Sequence, residues 1–151
     1  MGHTQAVSFE LHVEYVFNAP PEVVFDAFTD TNAQKEWWGL EPVDPVAAES
    51  HLWVGGSWNT VWGQPGEEFR DESVFQAVER PHHLAIASTL TGPDGAVLNT
   101  ETETRFEEED GKTRLTVVAT GYPTALVRDM FQNGLLKALA LLDERVVQKR
   151  T

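Results

Sequence analysis

The hydrophobic pattern of this chain changes period for good at Pro123, and that change limits the fold more than any other feature. Before it, "AVLNTETETRFEEEDGKTRLTVVATG" (Ala96 to Gly121) alternates with a period of two. Leu98, Thr100, Thr102, Thr104 and Phe106 share one face; Glu101, Glu103, Arg105 and Glu107 share the other. Asp110-Gly111 is a dipeptide suited to a tight hairpin, after which Leu115, Val117 and Ala119 alternate again. Beyond Pro123, Val127, Met130, Phe131, Gly134, Leu135, Ala138, Leu142 and Val146 recur at helical spacing, as far as about Gln148. Lys149 and Arg150 suit the carboxyl end of such a helix. An amphipathic helix that follows a sheet directly needs that sheet to cover its apolar stripe.

Upstream, "VSFELHVEYVF" (Val7 to Phe17) alternates as a half-buried strand. "NAPPEVVFDAFTD" reads as a short helix, with Asn18 able to cap it and Val24 and Phe28 one turn apart. "DTNAQKEWWG" predicts a second short helix, capped near Asp30 or Thr31 and stopped by Gly39. "PVDPVAAES" is a loop leading into a weak strand, and Gly55-Gly56 marks a hairpin turn. "EEFRDESVFQAVERP" and "HHLAIASTL" are two further strands divided at Pro81, followed by a "TGPDG" loop. The order is strand, two short helices, about six strands and one long helix. The fold class is α+β, a mainly antiparallel sheet closed by a terminal helix.

A length of 151 residues suits one domain, spanning 1–151. The formal charge of -13 and the lack of a basic stripe argue against nucleic acid and anionic membranes as partners. There is no cysteine, which excludes disulfides, thiolate nucleophiles and Cys-ligated metals. No two histidines have zinc-site spacing and no HExxH occurs, so no metal is expected. No phosphate cradle or dinucleotide fingerprint is present, and no cofactor is expected. The amino terminus does not read as a signal peptide, and no apolar run reaches membrane-spanning length. The expected location is cytoplasmic.

The chain holds five tryptophans, and Trp37 and Trp38 are adjacent. Burying one ring covers ~150–250 Å² and is worth roughly 4–6 kcal/mol, enough for a purely structural role. The other reading is that one ring faces a ligand. Trp58 and Trp62 share a strand face with Thr60 between them, and an aromatic wall with one hydroxyl is also what a small-molecule pocket presents. His51, Arg70, Asp71 and Tyr122 are the candidates for acid–base work if any of them points inward.

Several short patterns occur in a familiar order: "APPEVVFDAFTD" (Ala19 to Asp30), "WWG" (Trp37 to Gly39), "VGGSW" (Val54 to Trp58), "ERPHHL" (Glu79 to Leu84) and "DGKTRLTV" (Asp110 to Val117). Together they resemble the Aha-type family, homologues of the activator of the heat-shock-protein-90 ATPase, within the START-like or SRPBCC superfamily. The resemblance covers nearly the whole chain. Leu40 stands where the family usually has proline, and the family's usual glycine is missing from the stretch holding Ser73 and Pro81.

The resemblance implies a helix-grip fold like that of birch-pollen-type allergens. A curved sheet of six to seven strands wraps the long helix and leaves an apolar cavity. The function expected is binding of a small apolar or aromatic ligand there. The ligand-binding residues would be Trp38, Trp58, Thr60, Trp62, Phe75, Ile86, Phe131 and Leu135. The alternatives are a cyclase- or hydratase-type enzyme using the same cavity, and a chaperone partner acting through its surface. Exposed edge strands also offer a route to a homodimer.

Overall fold

A computed structural model of the chain describes residues 9–30, 45–64 and 66–150. Among the described residues, seven strands form one antiparallel sheet: β1 (Phe9–Phe17), β2 (Pro45–Ser50), β3 (Ser57–Gln64), β4 (Glu67–Glu79), β5 (His83–Thr91), β6 (Val97–Glu109) and β7 (Lys112–Tyr122). Their order is β1-β7-β6-β5-β4-β3-β2, so consecutive strands are neighbours except that β1 pairs with β7. Helix α1 (Pro21–Thr29) follows β1, and helix α2 (Ala125–Arg150) ends the chain. This is the helix-grip α+β fold. The second short helix expected after Asp30, with Trp37 and Trp38, lies outside the described residues.

The hairpin joining β6 and β7 turns at Asp110 and Gly111, whose φ angles of 54° and 79° are both left-handed. Such a turn matches the twist of its strands. Its register sets Thr104 opposite Val117 and Phe106 opposite Leu115. The acidic face of β6 points outward and is exposed at Glu101, Glu103 and Glu107.

Near the end of β7 the alternation breaks. Leu11 pairs with Ala119 but Phe9 pairs with Tyr122, so β7 carries one extra residue. Gly121 takes it up with φ 112°, and a Cβ there would run into the Asn99 carbonyl oxygen. A bulge of this kind re-aims the next side chain, and Tyr122 is buried on the inner face as a result.

The amino end of α1 is set by proline. Pro20 occupies the N-cap position without a side-chain cap, so Asn18 is not the cap the sequence predicts. The Pro20 carbonyl accepts from the backbone N–H groups of Val23 and Val24 instead. Thr113 donates its hydroxyl to the Ala19 carbonyl at 2.7 Å, which ties the start of α1 to β7. Phe25 and Phe28 meet Phe106 edge-on, with centroids 5.2 and 5.6 Å away.

Helix α2 packs on β1 and β7 and meets α1. Leu139, Leu142 and Val146 are almost fully buried beneath it. The expected stripe is right for Leu135, Ala138, Leu142 and Val146. It is wrong for Met130, which is 63% exposed, and it omits Leu139, which is wholly buried. Residue 139 completes the i, i+3, i+4 pattern from 135 and 142, and it turns the helix face that meets the sheet slightly away from Met130. No helix among the described residues is long and apolar enough to cross a membrane.

Candidate ligand-binding site

The amino-terminal half of α2 spans the concave face of the sheet and encloses a cavity of about 170 Å³. Phe131, Gly134, Leu135 and Ala138 form its helical side. Gly134 has open space where a Cβ would stand. The sheet supplies the other walls in cross-strand rows. Trp58, Ser73, Ser88 and Thr100 make one row, and Thr60, Asp71, Leu90 and Leu98 make the next. Phe28 from α1 and Tyr122 from β7 complete the lining.

Inward positions on a sheet are normally apolar, because a buried polar group without a partner is costly. Here the partners are present. Ser73 donates to Asp71 Oδ1 at 2.9 Å, and Ser73 Oγ lies 2.7 Å from Ser88 Oγ. A serine hydroxyl has one hydrogen. With Ser73's given to the carboxylate, Ser88 must donate to Ser73. The relay runs from Ser88 through Ser73 to Asp71. Asp71 Oδ2 makes no hydrogen bond to the described residues.

Burial pushes the Asp71 carboxyl up to about 6, against the hydrogen bond from Ser73, and the neighbouring charge of Glu72 adds to the rise. Tyr122 is pushed up to about 12, first by its burial and then by the negative charge of Asp71. Asp71 is the one charged side chain among the described residues that line the cavity. Trp62 also lines it, is 3% exposed, and has an indole N–H with no acceptor among the described residues. Among the described residues no three His, Asp or Glu side chains come together as metal ligands.

Residues 18–146 match the family model described as Activator of Hsp90 ATPase homolog 1-like protein. The chain belongs to that family. No curated protein matches its sequence. Solved structures similar to this Activator of Hsp90 ATPase homolog 1-like chain include protein NE0264 of Nitrosomonas europaea, 20% identical with a TM-score of 0.79, where 93% of this chain covers 96% of that one. Protein CV1439 of Chromobacterium violaceum is 21% identical with a TM-score of 0.79, covering 91% and 96%. DynU16, from the dynemicin biosynthetic locus, is 17% identical with a TM-score of 0.68, covering 89% of this chain and 46% of DynU16. At these identities the likeness is one of fold.

Within this Activator of Hsp90 ATPase homolog 1-like fold, six of the residues expected at a site line the cavity: Trp58, Thr60, Trp62, Ile86, Phe131 and Leu135. Phe75 does not. It is 1% exposed and stacks beneath Trp58, with centroids 5.6 Å apart and planes 21° apart. Trp38 lies outside the described residues. Of the four acid–base candidates, Asp71 and Tyr122 reach the cavity. Arg70 sits on the opposite face of β4, exposed and paired with Glu68 at 3.1 Å. His51 precedes the Gly55-Gly56 turn and pairs with Glu49 at 2.8 Å.

Sequence reasoning missed the Ser73–Ser88 relay and the role of Gly134. Both carried a signal. The serines occupy inward positions of apolar strand faces, and a glycine inside an amphipathic helix costs stability unless a side chain there is unwanted.

Proposed function

We propose that this protein binds a small apolar or aromatic molecule in the cavity between sheet and α2. One observation carries the reading: an aromatic-walled space of about 170 Å³ lies beside polar groups that face it. A cavity of roughly 150 Å³ lined by apolar side chains takes up one benzene ring, so a single ring with a short substituent is the ligand size that fits. A filled interior would have favoured a surface role towards a chaperone. Titrating single-ring aromatics against indole fluorescence tests the proposal, because Trp58 and Trp62 are both in the wall. Saturable change is expected. No response to any ring compound would remove the reading.

A second reading is acid–base catalysis on the bound molecule. It is favoured by Asp71, whose carboxyl is pushed up to about 6 by burial. A general acid or base works best with a pKa near the operating pH. A reaction product appearing with a bound ring compound, and absent with Asp71→Asn, is its test.

A further inference from the structure

We propose that the molecule held in this cavity is a small aromatic or apolar amine, bound as its cation with Asp71 as counter-ion. The inference rests on the ligand-binding reading above and names the chemical class of the ligand. Asp71 is the one charged group among the described lining residues, and its Oδ2 makes no hydrogen bond to the described residues. Phe28, Trp58, Trp62, Tyr122 and Phe131 present aromatic rings to the same space. Ring faces carry partial negative charge and attract a cation held within about 6 Å, most strongly when water is excluded. A protonated ammonium is therefore matched twice, by the carboxylate and by the rings.

The lining opposes the alternatives. A carboxylate or phosphate ligand would meet Asp71 with like charge, and no cation among the described lining residues would offset it. A pure hydrocarbon would leave Asp71 Oδ2 unpaired. The charge of -13 also draws cations towards the protein from solution.

Asp71 is already partly desolvated by its burial, which pushes its carboxyl up to about 6. Binding a cation thus strips little further water from it, the step that most often cancels the gain from a buried ion pair. Ser73, fed by Ser88, holds Oδ1 and leaves Oδ2 for the ligand. Of the other titratable groups, Glu72 follows Asp71 on the outer face, and Tyr122 faces it from β7. The described lining residues of β3, β5, β6 and α2 contain none.

Isothermal titration of 2-phenylethylamine, 2-phenylethanol and propylbenzene separates the possibilities. In the native protein at pH 7.5 the amine should bind about tenfold or more tighter than either neutral compound. Asp71→Asn, checked for folding by circular dichroism, should bring the three close together. In the native protein the advantage should also fade as the pH falls below about 6. Neutral compounds binding as tightly as the amine would overturn the amine assignment and leave the cavity reading standing. Binding of none of the three would overturn both. Should Asp71→Asn fail to fold, the pH series decides alone: a preference for the amine that does not change between pH 7.5 and 5 contradicts the counter-ion.

Discussion

Ser73 and Asp71 lie two residues apart on one face of β4, and the hydroxyl of the first holds Oδ1 of the second at 2.9 Å. This contact opposes the burial that pushes the carboxyl up. Ser73→Ala removes the donor and should raise the Asp71 pKa further. A carbon-13 NMR titration of the Asp71 carboxyl reads it directly. A lower or unchanged value would show that the hydroxyl does not hold the carboxylate.

Asp71 should make the fold less stable at neutral pH. Its ordinary pKa of 3.8 becomes about 6 in the folded state. Between those values the folded protein binds the proton more readily than the unfolded chain. Stability therefore falls as pH rises through that window, and the loss is complete above about 6. At about 1.4 kcal/mol per unit the cost reaches up to about 3 kcal/mol. Asp71→Asn should unfold at higher urea concentration than the native protein at pH 8, with the difference shrinking towards pH 4. An equal difference at both values would contradict the burial of the charge.

Leu139 and Leu135 should respond differently to truncation. Leu139 is wholly buried, whereas Leu135 borders the cavity. Leu139→Ala should cost about 2–5 kcal/mol, because a new void opens in a packed core. Leu135→Ala should cost less, since one of its sides already faces empty space. Urea denaturation of the two variants orders them, and the reverse order would mean that α2 presents another face.

Tyr15 ties β1 to α2 by donating its hydroxyl to Asp143 Oδ2 at 3.0 Å. Its pKa is pushed up to about 12, by burial first and by Asp143 second. The folded state holds this proton more tightly than the unfolded one. The associated stability is present below pH 10 and is lost as pH rises towards 12. Tyr15→Phe should cost about 1 kcal/mol at pH 7, again measured in urea. A cost several times larger would point to loss of packing rather than of one hydrogen bond.

The strands were legible in the sequence because a period of two survives wherever one face is buried. The Asp110-Gly111 turn was legible because few dipeptides accept two left-handed residues. Tyr122 was harder. Its inward aim depends on the Gly121 bulge, and simple alternation from Ala119 gives residue 122 the opposite face. The cap of α1 was misread because Pro20 and Pro21 set the helix start without help from Asn18. That Trp58, Thr60 and Trp62 share one face was legible because successive strand side chains alternate. Phe75 shares the inward face but stacks behind Trp58 instead of lining the cavity, since alternation gives the face but not which inward ring covers another. The serine relay depends on pairing across strands: residues 73 and 88 are 15 apart in sequence and opposite in register.

The central claim, that the space under α2 is kept open for a ligand, is tested most directly at Gly134. This glycine lines the cavity, and an added Cβ meets nothing within 4 Å. Glycine inside a helix costs roughly 0.5–1 kcal/mol relative to alanine, so a side chain here would stabilise the protein while occupying the space. Binding isotherms of 2-phenylethylamine to native protein and to Gly134→Leu, with the melting temperature of each, are the measurement. The account predicts saturable binding to the native protein, and a variant that melts higher and no longer binds. Equal binding by both proteins would contradict it.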